Sequence, residues 1–216
     1  MIKLIINADD FGYSKLINKK ILELIEGKYI TSTSVMVDYV ESNQKDQVMR
    51  LISLSKNKTI SIGLHVYFKN ENFQEEIKRQ FKKFIEIFNF VPHYLDIHKT
   101  IYLEKGYPII QKFCKEKNLP CKNLDSHLKG IMVKDILTNK GISFSATHKS
   151  FEEIKDWIIK LDDRMHLINF HPGYYDSKLK SSLNKEREVD ANHIMNLREI
   201  FAKKEIRLAN FHDLKK

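Results

Sequence analysis

The strongest constraint in this sequence is a repeated alternation of short apolar runs with helical patterns, with polar residues where several runs end. Apolar residues at three- and four-residue spacing predict helices, and short β-branched runs predict strands. Strands that alternate with helices pair in parallel through right-handed crossovers. The pattern therefore predicts an α/β fold with seven or eight parallel strands. It favours a TIM-like (β/α) barrel over an open doubly wound sheet.

The boundaries of the elements follow from the same alternation. Six of the predicted strands can be bounded, at residues 3–7, 31–37, 59–65, 94–98, 166–170 and 206–209. Predicted helices are residues 16–25, ending at a C-cap at Gly27, then 75–88, 107–117, 151–161 and 189–204, with a loop-rich stretch near 120–150. We find no repeat and no Pro/Gly-rich linker, so the sequence predicts a single domain over residues 1–216.

Composition limits the partners of the chain. No run of 18 or more apolar residues occurs, which predicts no membrane span, and the start of the sequence lacks the pattern of a secretory signal. We therefore expect a cytoplasmic protein. The net charge is +9, but the positive charge is mostly lysine dispersed among acidic residues, which argues against a nucleic-acid partner. Cys114 and Cys121 are too far apart for a C-x-x-C motif and predict reduced thiols. A homodimer is the default expectation for an oligomer.

Metal-binding or titratable side chains follow or end four of the predicted strands. They are Asp9 and Asp10, His65, Asp96 with His98, and His171. Each cluster alone has a plainer interpretation, as an Asp turn or N-cap, a hydrogen-bonded core histidine, or a strand-to-loop turn. Together they lie at the face where (β/α) barrels build their active sites. One carboxylate and two imidazoles then predict a metal site.

Asp9 and Asp10 are adjacent, which bears on their roles. Neighbouring residues of a strand face opposite sides, although this alternation can relax near a strand end. One aspartate could then bind the metal while the other lies near its water. Two adjacent carboxylates cannot flank a glycosidic bond at the required separation of roughly 5–9 Å, which argues against a glycosidase.

Five motifs, in this order along the chain, resemble the YdjC-like (ChbG/HpnK) carbohydrate deacetylases. They are NADDFG (Asn7–Gly12), TSTSVMV (Thr31–Val37), GLH (Gly63–His65), DIH (Asp96–His98) and HPGY (His171–Tyr174). Residues 181–188 and 208–214 also resemble the family, so the resemblance covers nearly the whole chain. It implies a deformed (β/α) barrel and an enzyme that hydrolyses the N-acetyl C–N bond of an acetylated sugar or oligosaccharide.

The resemblance also implies roles for single residues. Asp10, His65 and His98 match the ligands of one divalent metal ion, Mg²⁺ or Zn²⁺. Asp9 matches the general base, and His171 matches the general acid or a histidine on the substrate side. Such a metal lowers the pKa of bound water and polarises the acetyl carbonyl. A protonated histidine that titrates near neutrality can donate a proton to the departing amine.

Substrate-side residues are predicted less directly. The family motif D-x-H usually continues with two more histidines at alternate positions, where this chain has Thr100 and Tyr102. Alternate strand positions face the same way, so Thr100 and Tyr102 are expected to line the substrate pocket. Tyr174 of the HPGY motif is also expected to bind the substrate. Arg187 is expected to bridge to Asp9 or to the substrate, or else to form a surface ion pair.

Two other functions remain open from the sequence. The first is another metal-dependent hydrolase, an O-acetyl esterase or a phosphoesterase. A phosphoesterase would be expected to show ligands for a second metal or a Gly-rich phosphate cradle. The second is a catalytically silent sugar- or metal-binding homologue, which the replacements at Thr100 and Tyr102 would suit. The presence of both Asp9 and His171 favours an enzyme.

Overall fold

The computed structural model describes residues 1–98, 103–122 and 143–214. Seven strands lie in the described residues: β1 (Lys3–Phe11), β2 (Ser32–Val35), β3 (Ser61–Val66), β4 (Leu95–Ile97), β5 (Ser143–Ser145), β6 (Met165–Phe170) and β7 (Arg207–Ala209). Six α-helices accompany them: α1 (Lys15–Glu26), α2 (Lys45–Ser55), α3 (Phe73–Phe88), α4 (Leu103–Lys117), α5 (Phe151–Ile159) and α6 (Glu186–Lys204). The predicted alternation of strands and helices is confirmed.

The strands form one curled parallel sheet in the order β4-β3-β2-β1-β6-β5. Strand β1 pairs with β6 along one edge, whereas β7 and β2 share its other edge. Beyond β4, Leu95 forms a bridge with Cys121, so a short segment extends the sheet there. This arrangement is the deformed (β/α) barrel that the sequence predicts. The seven observed strands fall within the predicted seven or eight.

Alternate residues of the strands serve two different cores. Leu4, Ile6 and Ala8 of β1 face outward into the large core beneath the helices, while Ile5 belongs to a smaller cluster inside the curled sheet. This smaller cluster also contains Tyr94, Leu167 and residues of the C-terminal segment. The inner face becomes polar towards the carboxyl ends of the strands, where Asn7, Ser34, His65, Asp96 and Asn169 are all buried. Because the strands are parallel, their carboxyl ends meet at one edge.

Several boundaries differ from the prediction. Helix α2 has only two fully buried residues, Val48 and Leu51, so its apolar pattern is too weak to predict it. Strand β5 and the Leu95–Cys121 bridge lie in the stretch predicted to be rich in loops. Helix α1 ends at the predicted C-cap, but Gly27 has a right-handed φ of −70° and Lys28 takes the left-handed conformation. Thr100 and Tyr102 lie outside the described residues.

Tyr94 fixes the floor beneath the site. Its ring stacks on Phe211 with centroids 3.8 Å apart, and its hydroxyl donates to Asn7 Oδ1 at 2.6 Å and accepts from Ser32 Oγ at 2.9 Å. The ring also covers Gly63, where an added Cβ would lie 2.3 Å from the Tyr94 ring. Glycine at position 63 therefore leaves the space that the Tyr94 ring occupies.

We expect the Gly63→Ala variant to lower the free energy of unfolding by about 1–3 kcal/mol, because the fully buried Tyr94 cannot move aside without disturbing its contacts. Chemical denaturation of the two proteins measures the difference. Gly27→Ala is the matched control, since its Cβ would meet the half-buried Tyr29 ring, which can swing outward. A Gly63→Ala protein as stable as the Gly27→Ala protein would contradict this packing account.

Candidate active site

A β-bulge places Asp9 and Asp10 on the same side of the sheet. Strands β1 and β2 pair at Ala8 with Thr33 and again at Phe11 with Val35, so two aspartates lie opposite the single residue Ser34. Asp10 takes a positive φ of 73°, which is uncommon outside glycine. Such a conformation persists only where the surrounding structure stabilises it, and it often occurs at functional sites. The bulge is the local break in alternation that lets both adjacent carboxylates face the inner edge.

Asp10, His65 and His98 lie together at this edge. Asp10 Oδ1 is 3.4 Å from His65 Nε2 and 3.1 Å from His98 Nδ1, and the two histidine nitrogens are 3.1 Å apart. All three residues are buried or nearly so. The three residues expected to bind a metal are thus brought together, with one donor atom from each facing the same point.

The spacing of these donors fits a small divalent cation. Ligand bonds of about 2.0–2.1 Å place neighbouring donors about 2.8–3.4 Å apart in octahedral or tetrahedral geometry. The three observed separations, 3.1, 3.1 and 3.4 Å, lie in that range. One carboxylate with two imidazoles is also a donor set that suits such an ion. The residues present therefore fit a metal centre.

Asp96 orients His65 towards that centre. Asp96 Oδ1 lies 2.7 Å from His65 Nδ1. Because a carboxylate only accepts, Nδ1 carries a proton, and Nε2 is the nitrogen that would bind a metal. Burial opposes charging of the ring, but the negative charges of Asp96 and Asp9 raise the pKa of His65 to about 10. The same negative surroundings that favour a proton on His65 also favour a bound cation.

Arg187 contacts Asp10. The first turn of α6 carries Arg187, whose guanidinium donates to Asp10 Oδ2 at 2.7 Å and whose side chain is 1% exposed. The alternative of a surface ion pair is therefore wrong, and the aspartate contacted is Asp10 rather than Asp9. Burial on its own raises the pKa of Asp10, but hydrogen bonds from His65 and His98 and the charge of Arg187 hold it well below its usual range. Arg187 occupies Oδ2 and leaves Oδ1 facing the two histidines.

Asp9 lies in a separate, fully buried network. Its Oδ1 accepts from Asn7 Nδ2 at 2.7 Å, from Lys122 Nζ at 2.5 Å and from Ser34 Oγ. Its Oδ2 accepts from Asn169 Nδ2 at 2.7 Å. Burial would raise the pKa of Asp9, but positive charge, that of Lys122 first, holds it well below its usual range. Asp9 is therefore a fixed, ionised carboxylate beside the candidate metal-binding group of Asp10, His65 and His98.

Lys122 is the main site residue that the sequence analysis missed. It is fully buried, and its ammonium contacts Asp9, Asp96 and Asn169. Burial would lower the pKa of Lys122, but the charges of Asp9 and Asp96 outweigh burial and raise it. The available signal was its position after the apolar residues Leu119–Cys121, which follow α4 as a strand would. Asn7, Ser34 and Asn169 were also missed, because nothing in a strand sequence shows which polar residues share a hydrogen bond.

His171 lies beside Asp9. Its Nε2 is 3.7 Å from Asp9 Oδ2, and its Nδ1 is 3.1 Å from Thr147 Oγ1. The backbone N–H of His171 donates to Asp190 at 2.7 Å, which fixes the start of this loop on α6. Burial lowers the pKa of His171 below its ordinary value of 6.5, although Asp10 and Asp9 oppose this shift. The resting side chain is therefore neutral at pH 7.

Tyr174 contacts residues of helix α1. Tyr174 donates to Glu23 at 2.6 Å and packs near Lys20, so its described contacts are with α1.

Tyr13, Tyr39 and Tyr67 were not predicted as site residues. They follow β1, β2 and β3 and form edge contacts with one another, and the rings of Tyr13 and Tyr67 contact His98 with centroids 6.2 and 5.6 Å away. These three form an aromatic rim beside the metal-binding group.

In the described part of the chain, no helix is long and apolar enough to cross a membrane.

Comparisons with known proteins agree with this architecture. A carbohydrate deacetylase from Clostridium beijerinckii is 29% identical over 249 aligned residues, covering 98% of this chain and 100% of that protein. A candidate cellobiose-phosphate cleavage protein from Enterococcus faecalis V583 has a crystal structure similar to this one, with a TM-score of 0.77, 20% identity and 99% of both chains covered. A family 4 acetyl xylan esterase from Clostridium thermocellum, solved with a cobalt ion, shares the fold at a TM-score of 0.60 and 9% identity, covering 98% of this chain and 89% of the esterase.

A family model also matches this chain. The model described as YdjC-like protein matches residues 3–74 and 68–203, which together span most of the sequence. This chain belongs to the YdjC-like protein family.

Proposed function

We propose that this protein is a metal-dependent carbohydrate deacetylase, which hydrolyses the N-acetyl group of an acetylated sugar or oligosaccharide. The observation that carries the proposal is the grouping of Asp10, His65 and His98 at 3.1–3.4 Å, beside the ionised Asp9 and the neutral His171. The name of the relative from Clostridium beijerinckii, a carbohydrate deacetylase, supports the substrate class. The partly buried rim of Tyr13, Tyr39 and Tyr67 offers apolar ring faces to a sugar.

Asp10, His65 and His98 would hold one divalent ion, Mg²⁺ or Zn²⁺. When bound, this ion supplies Lewis acidity, which polarises the acetyl carbonyl and eases ionisation of water. Asp96 fixes the ring of His65 for this task, and Arg187 fixes the carboxylate of Asp10. Both ligands are thus held in place before the ion arrives, which reduces the cost of ordering them.

Asp9 and His171 would move the proton. As the water oxygen forms a bond with the acetyl carbon, its proton passes to Asp9 Oδ2, the oxygen with fewer hydrogen bonds. His171 Nε2 lies 3.7 Å from that oxygen and is neutral at pH 7, so it can take up this proton. The proton then passes to the amine nitrogen as the C–N bond breaks, and acetate and the free amino sugar result. In this relay His171 is charged only during turnover, whereas the sequence analysis expected a histidine protonated beforehand.

We expect acetate release from N-acetylated mono- and oligosaccharides to disappear when the protein is stripped with a chelator and to return when Mg²⁺ or Zn²⁺ is restored. An enzymatic acetate assay over a substrate panel measures this. O-acetylated sugars belong in the panel because the same site would also suit an O-acetyl esterase. Metal-dependent cleavage of O-acetyl groups alone would favour that alternative, and no acetate release from any sugar would contradict the proposed function.

We expect Asp9→Asn to lower kcat by about 10²–10⁴-fold, because an amide cannot take up the proton. The affinity for the divalent ion should change little, since Asp9 is not one of the three residues that face it. Steady-state kinetics and metal titration measure the two effects separately. The matched control is Asp46→Asn, the same change at an exposed position of α2, which should leave both unchanged. Full turnover by Asp9→Asn would show that the base is wrongly assigned.

The relay also predicts the pH dependence of activity. Because the pKa of His171 is lowered below 6.5, the histidine is neutral at pH 7 and becomes protonated only in more acidic solution. Activity should therefore hold between pH 7 and 8 and fall as the pH drops below about 6. Metal binding measured over the same range separates this fall from loss of the ion. Activity that instead decreases as the pH rises from 6.5 to 8 would mean that His171 must be protonated beforehand.

A further inference from the structure

The ammonium of Lys122 lies in a pocket of side-chain oxygens. Nζ is 2.5 Å from Asp9 Oδ1 and 3.0 Å from Asn169 Oδ1, and it also contacts Asp96 Oδ2. The side chain is fully buried, so these oxygens take the place of water around the charge. Two carboxylates and an amide carbonyl are the oxygen ligands that hard cations such as Mg²⁺ and Mn²⁺ prefer.

The two carboxylates around Lys122 belong to a second group of side chains whose donor atoms are close enough together to hold a metal ion. Besides Asp10, His65 and His98, the residues Asp9, His65 and Asp96 also bring donor atoms within 4.8 Å of one another. The two groups share His65, so the second group lies directly beside the first in this buried cluster. Lys122 places its charge against both carboxylates of the second group and against neither carboxylate oxygen of Asp10.

The charges of the cluster are nearly balanced. Asp9, Asp10 and Asp96 contribute three negative charges, and Lys122 and Arg187 contribute two positive charges. Unpaired charges buried at this depth are strongly unfavourable. Arg187 compensates Asp10, and Lys122 is the lysine that contacts both Asp9 and Asp96. Without Lys122 these two carboxylates would face each other with no positive charge between them.

We propose that Lys122 is a built-in cation, whose ammonium fills the position of a second metal ion between Asp9, Asp96 and Asn169. The centre then takes a single divalent ion, at Asp10, His65 and His98, and Asp9 stays free of metal for proton transfer. Lys122 is a positioning residue in this scheme, because it acts through Asp9 and Asp96. This inference takes the first ion from the proposed function. What it adds is a statement about how many cations the cluster accepts.

The test counts ions rather than turnover. Chelator-stripped wild-type protein and the Lys122→Ala variant are dialysed against Mn²⁺. The buffer contains tetramethylammonium, so that no small monovalent cation competes for the site. Bound Mn²⁺ is measured by elemental analysis and by electron paramagnetic resonance. We expect one ion per chain in the wild type and two in Lys122→Ala, with spin coupling between neighbouring ions. Lys115→Ala, the same change at an exposed position of α4, is the matched control and should bind one ion.

Two further variants locate the extra ion. Lys122→Arg keeps the positive charge and should return the count to one. Adding Asp96→Asn to Lys122→Ala removes a ligand of the second position and should also abolish the extra ion. Circular dichroism verifies the fold of each protein. If Lys122→Ala does not fold, Lys122→Gln, which is neutral and fills more of the space, should likewise bind more Mn²⁺ than the wild type.

The outcomes separate this inference from the proposed function. A folded Lys122→Ala or Lys122→Gln protein that binds no more Mn²⁺ than the wild type would overturn the built-in cation, even if the wild type deacetylates sugars. An extra ion in the variant would support the built-in cation, even if the wild type releases no acetate from any sugar.

Discussion

Three carboxylates share one buried cluster, and the rest of the site depends on how their negative charge is compensated. Burying a carboxylate without a partner costs several kcal/mol, so each one needs a cation or several hydrogen-bond donors. Arg187 pairs with Asp10, Lys122 bridges Asp9 and Asp96, and Asp96 also holds His65. The remaining negative charge lies beside two imidazole nitrogens, where a proton on His65 or a bound divalent ion would compensate it.

The backbone conformation brings the charged side chains of this cluster together. Parallel pairing brings the carboxyl ends of β1, β3, β4 and β6 to one edge, and the bulge in β1 then turns both Asp9 and Asp10 to the inner side. Below them, the stacked rings of Tyr94 and Phe211 close the interior of the curled sheet. Polar residues therefore crowd only the upper inner face. The strained conformation of Asp10 is offset by its pairing with Arg187.

The sequence was enough to predict the fold and the grouping of Asp10, His65 and His98, because strand ends in a parallel sheet share an edge whatever the details of packing. It was not enough to predict Lys122, since its placement depends on the pairing of Leu95 with Cys121. Nothing in the hydrophobic pattern of the sequence indicates that these two segments pair. The partner of Arg187 was also beyond reach. Which of two adjacent carboxylates faces α6 is decided by the bulge, and a bulge leaves no mark in the hydrophobic pattern.

The central claim is that Asp10, His65 and His98 form a one-ion centre. X-ray absorption spectroscopy of the protein loaded with one equivalent of Zn²⁺ tests it most directly, because the technique resolves the number of imidazole ligands. The account predicts two imidazole nitrogens and oxygen ligands at about 2.0–2.1 Å, with the imidazole signal falling by half in His98→Ala. A first shell that contains sulfur, or that holds no imidazole, would contradict it.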